Sequence, residues 1–268
     1  MAKRLPGAVL AALLTLTAFA APAHARVVVD FTGIVALNNC SGSVVRTPSS
    51  RPSDKALVLT NGHCVKLMAD REVIVDQSAA RSFTLLNRAG SGSLGTLRAD
   101  RLLYATMTGT DAALYRLTST YAQVEGMGSQ ALELSPQHPV AGTEIRVVSG
   151  YWKKIYSCRA ETFVPTLREA QWTWLDSIRY TASCDTIGGT SGSPVVDLAS
   201  GQVVGVNNTG NENGGRCTMN NPCEVDEHGT VTVHRGIGYA QQTYQAVPCL
   251  VAGGRLDLNA PGCGLPKP

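Results

Sequence analysis

Short runs of Val, Ile, Leu and Thr, bounded by Gly, Ser, Asn or Pro, recur along most of the sequence. Many short β-branched runs between turn-forming residues predict an all-β sandwich or barrel. Hydrophobic residues make up 44% of the chain and charged residues only 16%, which excludes a disordered or fibrous protein. The predicted strands lie at 27–31, 33–37, 43–46, 56–60, 72–76, 82–86, 112–117, 144–149, 177–181, 193–197, 203–206 and 231–233.

Residues 119–142 lack this strand pattern and are interrupted by Gly126, Gly128, Pro136 and Pro139. Clusters of Gly and Pro mark connections between folded units. We therefore expect one domain at 26–246, built from two β-subdomains at approximately 26–120 and 140–246. A Gly- and Pro-rich tail follows at 247–268, and a weak helical pattern lies at 239–247.

The first 25 residues have the pattern of a secretory signal peptide. Lys3 and Arg4 precede an apolar run at 8–21, and a small-x-small cleavage site follows at 23–25. A membrane anchor is the alternative, but the run falls short of the roughly 20 apolar residues that span a bilayer. We expect a secreted protein, extracellular or periplasmic, without a membrane partner once the leader is removed.

The charge balance gives no sign of a polyanionic partner. Removal of Lys3 and Arg4 with the leader lowers the formal net charge from +3 to +1, and the other basic residues form no cluster. A nucleic-acid-binding protein would show a basic stripe. We therefore expect no nucleic-acid partner.

Eight cysteines lie in the predicted mature chain, and an even number in an exported protein indicates disulfides. Zinc binding is the alternative, but the sequence has no CxxC pair and no HExxH motif. We expect neither a metal nor another cofactor. The cysteines are Cys40, Cys64, Cys158, Cys184, Cys217, Cys223, Cys249 and Cys263.

Two candidate functional residues stand at the ends of predicted strands. His63 follows the apolar run at 56–59, and His is suited to proton transfer near neutral pH. Asp111 directly precedes the run at 112–117. Taken singly, His63 is equally well a surface residue and Asp111 a turn cap.

The segment 188–194 reads Gly-Gly-Thr-Ser-Gly-Ser-Pro and leads into an apolar run. Glycines here allow successive backbone N–H groups to turn to one side and form a concavity for a developing oxyanion. A phosphate-binding loop would instead need a Lys after the glycines and a following helix. Ser191 is therefore a candidate nucleophile.

Taken together, these segments resemble the trypsin-like serine peptidase family, especially its secreted bacterial branch with a Gly-Gly-x-Ser-Gly-Ser-Pro motif. The order His63, Asp111, Ser191, with separations of 48 and 80 residues, is that of the family. Residues 40–45, Cys-Ser-Gly-Ser-Val-Val, resemble the family's strand before the histidine, which implies a Cys40–Cys64 disulfide.

The resemblance implies a chymotrypsin-like, disulfide-stapled fold of two packed six-stranded antiparallel β-barrels. It also implies a serine endopeptidase in which Ser191 is the nucleophile, His63 the general base and acid, and Asp111 the residue that orients His63. The backbone N–H groups of Gly189 and Ser191 would form the oxyanion hole. We expect a monomer that acts on polypeptide substrates.

The sequence departs from the family at several positions. Thr190 replaces the Asp that accepts the new amino terminus of activated zymogens, so we expect activity without that switch. Asp185 has the spacing of the acid that gives trypsins their basic specificity, although bacterial members carry it without that specificity. Asn207 stands where glutamate-specific relatives have His, and Asn208 where the family has a Ser that contacts the triad Asp.

Asp185, Asn207, Asn208 and Gly210 are thus the expected substrate-binding residues, and the preferred substrate residue stays open. The remaining six cysteines allow 15 connectivities. Sequence order favours Cys158–Cys184, Cys217–Cys223 and Cys249–Cys263. An alternative function is a catalytically silent homologue that acts as an extracellular binding protein.

Overall fold

The structure is a computed structural model that describes residues 1–3 and 27–268. The predicted signal peptide therefore lies almost wholly outside the described residues. The strands are β1 Ile34–Ala36, β2 Ser41–Arg46, β3 Lys55–Thr60, β4 Val73–Ser78, β5 Ser82–Leu86, β6 Ser93–Thr106, β7 Ala112–Thr120, β8 Leu132–Glu133, β9 Glu144–Ser149, β10 Lys154–Glu169, β11 Trp172–Tyr180, β12 Pro194–Asp197, β13 Val203–Gly210, β14 Cys223–Val225, β15 Val231–Thr232, β16 Gly238–Gln242, β17 Leu250–Val251 and β18 Arg255–Leu256. The helices are α1 Tyr121–Gly126 and a 3-10 helix at Tyr244–Cys249.

The first half of the chain forms a closed antiparallel barrel. Its six strands follow one another around the ring in the order β1, β2, β3, β7, β6 and β5, and β5 pairs again with β1. Strand β4 pairs with the far end of β6, and β8 adds to β2 in parallel.

The second half repeats this arrangement. Strands β9, β10, β11, β16, β13 and β12 form a closed six-stranded ring, in which β12 returns to β9. β14 and β15 extend the sheet from β10. The expected pair of packed six-stranded barrels is confirmed.

The long hairpin of β10 and β11 joins the two barrels. Buried and exposed side chains alternate over parts of both strands, because successive side chains of a strand point to opposite faces. Val164, Leu167, Trp172 and Trp174 pack into the same core as the interior of the first barrel. The indole N–H groups of both tryptophans donate 3.0 Å hydrogen bonds to backbone carbonyls of the first barrel, at Met68 and Met107. The hairpin thereby fixes one wall of the groove between the barrels.

The structure differs from the sequence-based expectations in several segments. The predicted strand at 27–31 is not a strand in the structure. The weak helical pattern at 239–247 divides into β16 and the 3-10 helix. The connection at 119–142 contains α1, which begins with a capping box formed by Thr120 and Gln123.

Four disulfides are present, and they join the pairs that the resemblance and the sequence order favour. Cys40–Cys64 links β2 to the segment after β3, and Cys158–Cys184 links β10 to the loop that precedes Ser191. The list is completed by Cys217–Cys223 and Cys249–Cys263. No helix among the described residues is long and apolar enough to cross a membrane.

The tail at 247–268 packs onto the first barrel. Leu250 and Leu265 are buried in a core cluster with Leu103 and Tyr104 of β6. The Tyr104 hydroxyl donates a 2.9 Å hydrogen bond to the carbonyl of Pro266. The tail is therefore part of the packed body.

Candidate active site

His63 lies in the turn that follows β3, at the rim of the groove between the barrels. The turn passes close to the first barrel, because a Cβ on Gly62 would lie 2.0 Å from the carbonyl oxygen of Thr106. The Asn61 side chain donates a 2.8 Å hydrogen bond to the carbonyl of Asp111. Only Gly fits at position 62, so the turn brings His63 against the start of β7.

Asp111 is fully buried and holds His63 through both carboxylate oxygens. Its Oδ2 lies 2.7 Å from Nδ1 of His63, and its Oδ1 accepts a 3.1 Å hydrogen bond from the backbone N–H of His63. A carboxylate at Nδ1 fixes the tautomer that carries the proton there, which leaves Nε2 free to accept one. The imidazole is thus oriented for proton transfer.

The pKa of His63 lies above its usual value. Burial of the ring lowers the pKa, but the charge of Asp111 and its hydrogen bond to the ring outweigh burial, and the charge of Glu169 adds to them. The side chain of His63 remains 24% exposed, so its outer edge is open to the cleft. A raised pKa suits a base that must hold a proton during part of a reaction cycle.

Ser191 lies in the same cleft as His63 and Asp111, which has a volume of about 420 Å³. Its hydroxyl donates a 3.1 Å hydrogen bond to the carbonyl of Asn208, and the described residues show no hydrogen bond between Ser191 and His63. The next residue, Gly192, has φ of +80°, and a Cβ there would lie 2.1 Å from the carbonyl oxygen of Ser41. The glycine therefore lets the loop press against β2.

The loop at 188–191 has its carbonyl groups bound, whereas several of its N–H groups have no protein acceptor among the described residues. The carbonyl of Gly188 accepts from Trp152, that of Gly189 from Ser41, and that of Thr190 from the N–H of Ser193. Within the described part of the chain, the N–H groups of Gly189 and Ser191 have no protein acceptor. Two free donors beside a hydroxyl can stabilise a developing oxyanion.

Thr190 has partners within the loop. Its hydroxyl donates to the carbonyl of Ile187 and accepts a 3.1 Å hydrogen bond from the side chain of Asn207. The Tyr180 hydroxyl in turn donates to Oδ1 of Asn207. Asn207 is therefore buried beneath the loop at 188–191, where it holds Thr190, and it also lines the cleft.

The other expected substrate-binding residues divide into two groups. Asn208 and Gly210 line the cleft, whereas Asp185 is exposed and is not among the lining residues. The side chain of Asn208 makes no hydrogen bond with Asp111, because both of its polar atoms lack a partner among the described residues. Asp185 thus lies outside the pocket, and Asn208 does not make the contact to Asp111 that the family's Ser makes.

Sequence reasoning missed the residues that the β10–β11 hairpin brings to the cleft. Glu169, Trp172 and Trp174 line it from the hairpin tip. Trp152, in the connection between β9 and β10, was also missed, although it contacts the nucleophile loop. No motif marks these residues, and only their place in the folded hairpin brings them to Ser191.

Comparisons with known proteins agree with this architecture. The model of the trypsin-like peptidase domain family matches residues 40–206. Since that span covers more than half of the chain and includes His63, Asp111 and Ser191, the chain belongs to this family. It is accordingly a trypsin-like serine endopeptidase. No curated protein matches the chain significantly.

The solved structures that the comparison found are distant in sequence, and the three named here have TM-scores below 0.5. The MamO protease domain from Magnetospirillum magneticum is 15% identical, with a TM-score of 0.48, over 79% of this chain and 92% of that one. Rv3671c from M. tuberculosis H37Rv, in an inactive form, is 15% identical, with a TM-score of 0.47, over 80% and 82%. A Glu endopeptidase in complex with MPD is 16% identical, with a TM-score of 0.47, over 79% and 85%.

Proposed function

We propose that the protein is a secreted endopeptidase that cleaves peptide bonds through an acyl-enzyme on Ser191. The observation that carries the proposal is the hydrogen-bonded pair of His63 and the buried Asp111, combined with the N–H groups of Gly189 and Ser191, which have no protein acceptor among the described residues. The predicted leader and the four disulfides support an oxidising, extracytoplasmic location. A secreted sample whose amino terminus lies near residue 26 would test that location.

In the acylation step, Oγ of Ser191 attacks the scissile carbonyl carbon as its proton passes to Nε2 of His63. The electron pair of the carbonyl moves to oxygen, where the N–H groups of Gly189 and Ser191 stabilise the negative charge. The tetrahedral intermediate then collapses. The C–N bond breaks, and the leaving amine takes the proton from His63.

In deacylation, a water molecule replaces the amine. His63 accepts a proton from the water as its oxygen attacks the acyl ester, and then returns that proton to Ser191 as the ester bond breaks. Asp111 keeps its charge throughout and stabilises the imidazolium form of His63. For this cycle the Ser191 hydroxyl must turn from the carbonyl of Asn208 toward Nε2 of His63.

The pocket beside Ser191 supports a neutral residue on the acyl side of the scissile bond. Its walls include Thr186, Asn207 and Gly238, whereas Asp185 lies outside. A Cβ on Gly238 would lie 2.7 Å from Oγ1 of Thr186, so the pocket is narrow at that level. The Asp185 carboxylate therefore does not lie where it could bind the side chain of Arg or Lys at the scissile bond, and cleavage after these residues is not favoured.

No zymogen switch is needed in this proposal. Thr190 is held by Ile187 and Asn207, both within the same barrel, so the nucleophile loop needs no buried amino terminus to assemble. We expect the mature chain to be active after leader removal alone.

Covalent labelling with a fluorophosphonate separates this proposal from a silent binding homologue. The mature wild type should label and should cleave an unstructured protein, whereas a Ser191→Ala variant should do neither. A folded wild type that fails to label would favour the binding protein.

A further inference from the structure

Glu169 is a buried carboxylate in the wall of the cleft. It ends β10 and is only 5% exposed. Its Oε2 accepts a 2.6 Å hydrogen bond from the Thr209 hydroxyl, and its Oε1 accepts a 2.9 Å bond from the backbone N–H of Asn220. Among the described residues, no Lys or Arg forms an ion pair with it.

A buried carboxylate without a cation is costly to a fold. Burial raises the pKa of Glu169, and the negative charge of Asp111 raises it further, while the hydrogen bonds from Thr209 and Asn220 and the charge of His63 act in the opposite direction. The protein therefore keeps an acidic group beside its catalytic pair that its own residues leave partly uncompensated.

The cleft as a whole is acidic. Asp111, Glu169 and Glu212 line it, and no Lys or Arg does so in the part of the chain that the structure covers. A cleft lined with charges of one sign favours ligands of the opposite sign. Of the three carboxylates, Asp111 already serves His63, and Glu212 is exposed to solvent.

We propose that Glu169 forms a subsite that binds a cationic side chain, Arg or Lys, of the peptide substrate. The inference rests on the proposed endopeptidase function. A guanidinium or ammonium group offers several N–H donors, which suit the carboxylate of Glu169.

The subsite belongs to the acyl half of the substrate but not to the residue at the scissile bond. The carbonyl of Asn208 accepts the hydrogen bond of Ser191, and Thr209, the next residue, donates to Glu169. Residues 208–210 pair with β16 on one side only, so a peptide can add along their other edge. The acyl half of the substrate is bound at Ser191 and runs along this edge. One of its residues P2 to P4 then lies beside Glu169.

The test is a set of matched peptides that carry Lys or norleucine, or Arg or citrulline, at one position each from P4 to P2′. At one of the positions P2 to P4, we expect the wild type to cleave the cationic peptide with a kcat/KM at least about tenfold higher than that of its neutral partner. A factor of this size corresponds to the free energy of one charge-assisted hydrogen bond. A Glu169→Gln variant should reduce that preference to about threefold or less. A Glu125→Gln variant, which removes an exposed carboxylate on α1, should keep it.

The outcomes separate the two proposals. A wild type that neither labels with the fluorophosphonate nor cleaves any peptide contradicts the endopeptidase function itself. A wild type that labels and cleaves but shows no cationic preference at P2 to P4 overturns the subsite alone, without need of any variant. Preference that persists in a folded Glu169→Gln variant, judged by circular dichroism, also overturns it.

Discussion

The indole N–H of Trp152 donates a 2.7 Å hydrogen bond to the carbonyl oxygen of Gly188. In a trans peptide the carbonyl and the following N–H point in opposite directions. The bond therefore fixes the direction of the Gly189 N–H, which has no protein acceptor among the described residues. Trp152 is itself held by its backbone N–H, which donates to the Ser149 hydroxyl at 3.2 Å. A partly exposed tryptophan thus determines where an oxyanion donor points.

We predict that a Trp152→Phe variant loses about tenfold or more in kcat with little change in KM. Phenylalanine keeps the ring packing but cannot bind the carbonyl of Gly188, so the peptide can rotate and withdraw the Gly189 N–H. Complete loss of one such donor costs about 100- to 1,000-fold. Steady-state kinetics on one peptide substrate and the affinity for a peptide aldehyde measure the effect.

The control for this prediction is the neighbouring ring. Tyr151 packs edge-on against Trp152, with ring centroids 5.0 Å apart, and Tyr151→Phe keeps that contact. We expect this variant to retain wild-type kcat. Equal kcat for Trp152→Phe and the wild type would show that the Gly188 peptide needs no support from the indole.

The second prediction concerns the acid side of the pH profile. His63 must be neutral to accept the proton of Ser191, and its pKa is raised above 6.5 by Asp111 and Glu169 against the effect of burial. Activity is therefore lost as the pH falls through the raised pKa, and kcat/KM should reach half its maximum above pH 6.5. A Glu169→Gln variant removes one of the charges that favour the imidazolium form and should shift that midpoint to lower pH.

Measurement of kcat/KM across pH 5 to 9 with a neutral peptide tests this sign. The exposed Glu125→Gln variant provides the control, and its midpoint should not move. A midpoint in Glu169→Gln at or above the wild-type value would contradict the electrostatic coupling between Glu169 and His63.

The residues of the catalytic cleft could be predicted where a short motif fixes a local turn. His63, Asp111 and Ser191 each lie close to the end of a strand, and the glycines around Ser191 predict the conformation of its loop. Asp185 shows the limit of such reasoning. Its spacing from Ser191 cannot reveal that the side chain faces solvent, because that depends on how the whole loop after Cys184 is folded.

The two longest strands were not predicted, and the residues of the hairpin tip were missed with them. In β6 the register shifts near Ala99 and Leu102, which breaks the two-residue alternation that a sequence search relies on. β10 also shifts register, between Ala160 and Thr162, and the polar or exposed residues Arg159, Glu161 and Pro165 interrupt its apolar run. Glu169 reaches the cleft only because this strand is 16 residues long.

The last prediction concerns the tail at 247–268. Leu265 is buried in a core cluster that contains residues of both barrels, together with Leu250 and Cys249, whose disulfide partner is Cys263. Truncation of a buried leucine removes apolar burial and leaves a cavity, so Leu265→Ala should lower the free energy of unfolding by about 2–3 kcal/mol. Val140→Ala, at a side chain that is 71% exposed, should change it by less than about 0.5 kcal/mol. Unfolding of both variants in urea tests this prediction. Equal midpoints for Leu265→Ala and Val140→Ala would mean that the tail contributes nothing to the stability of the barrel.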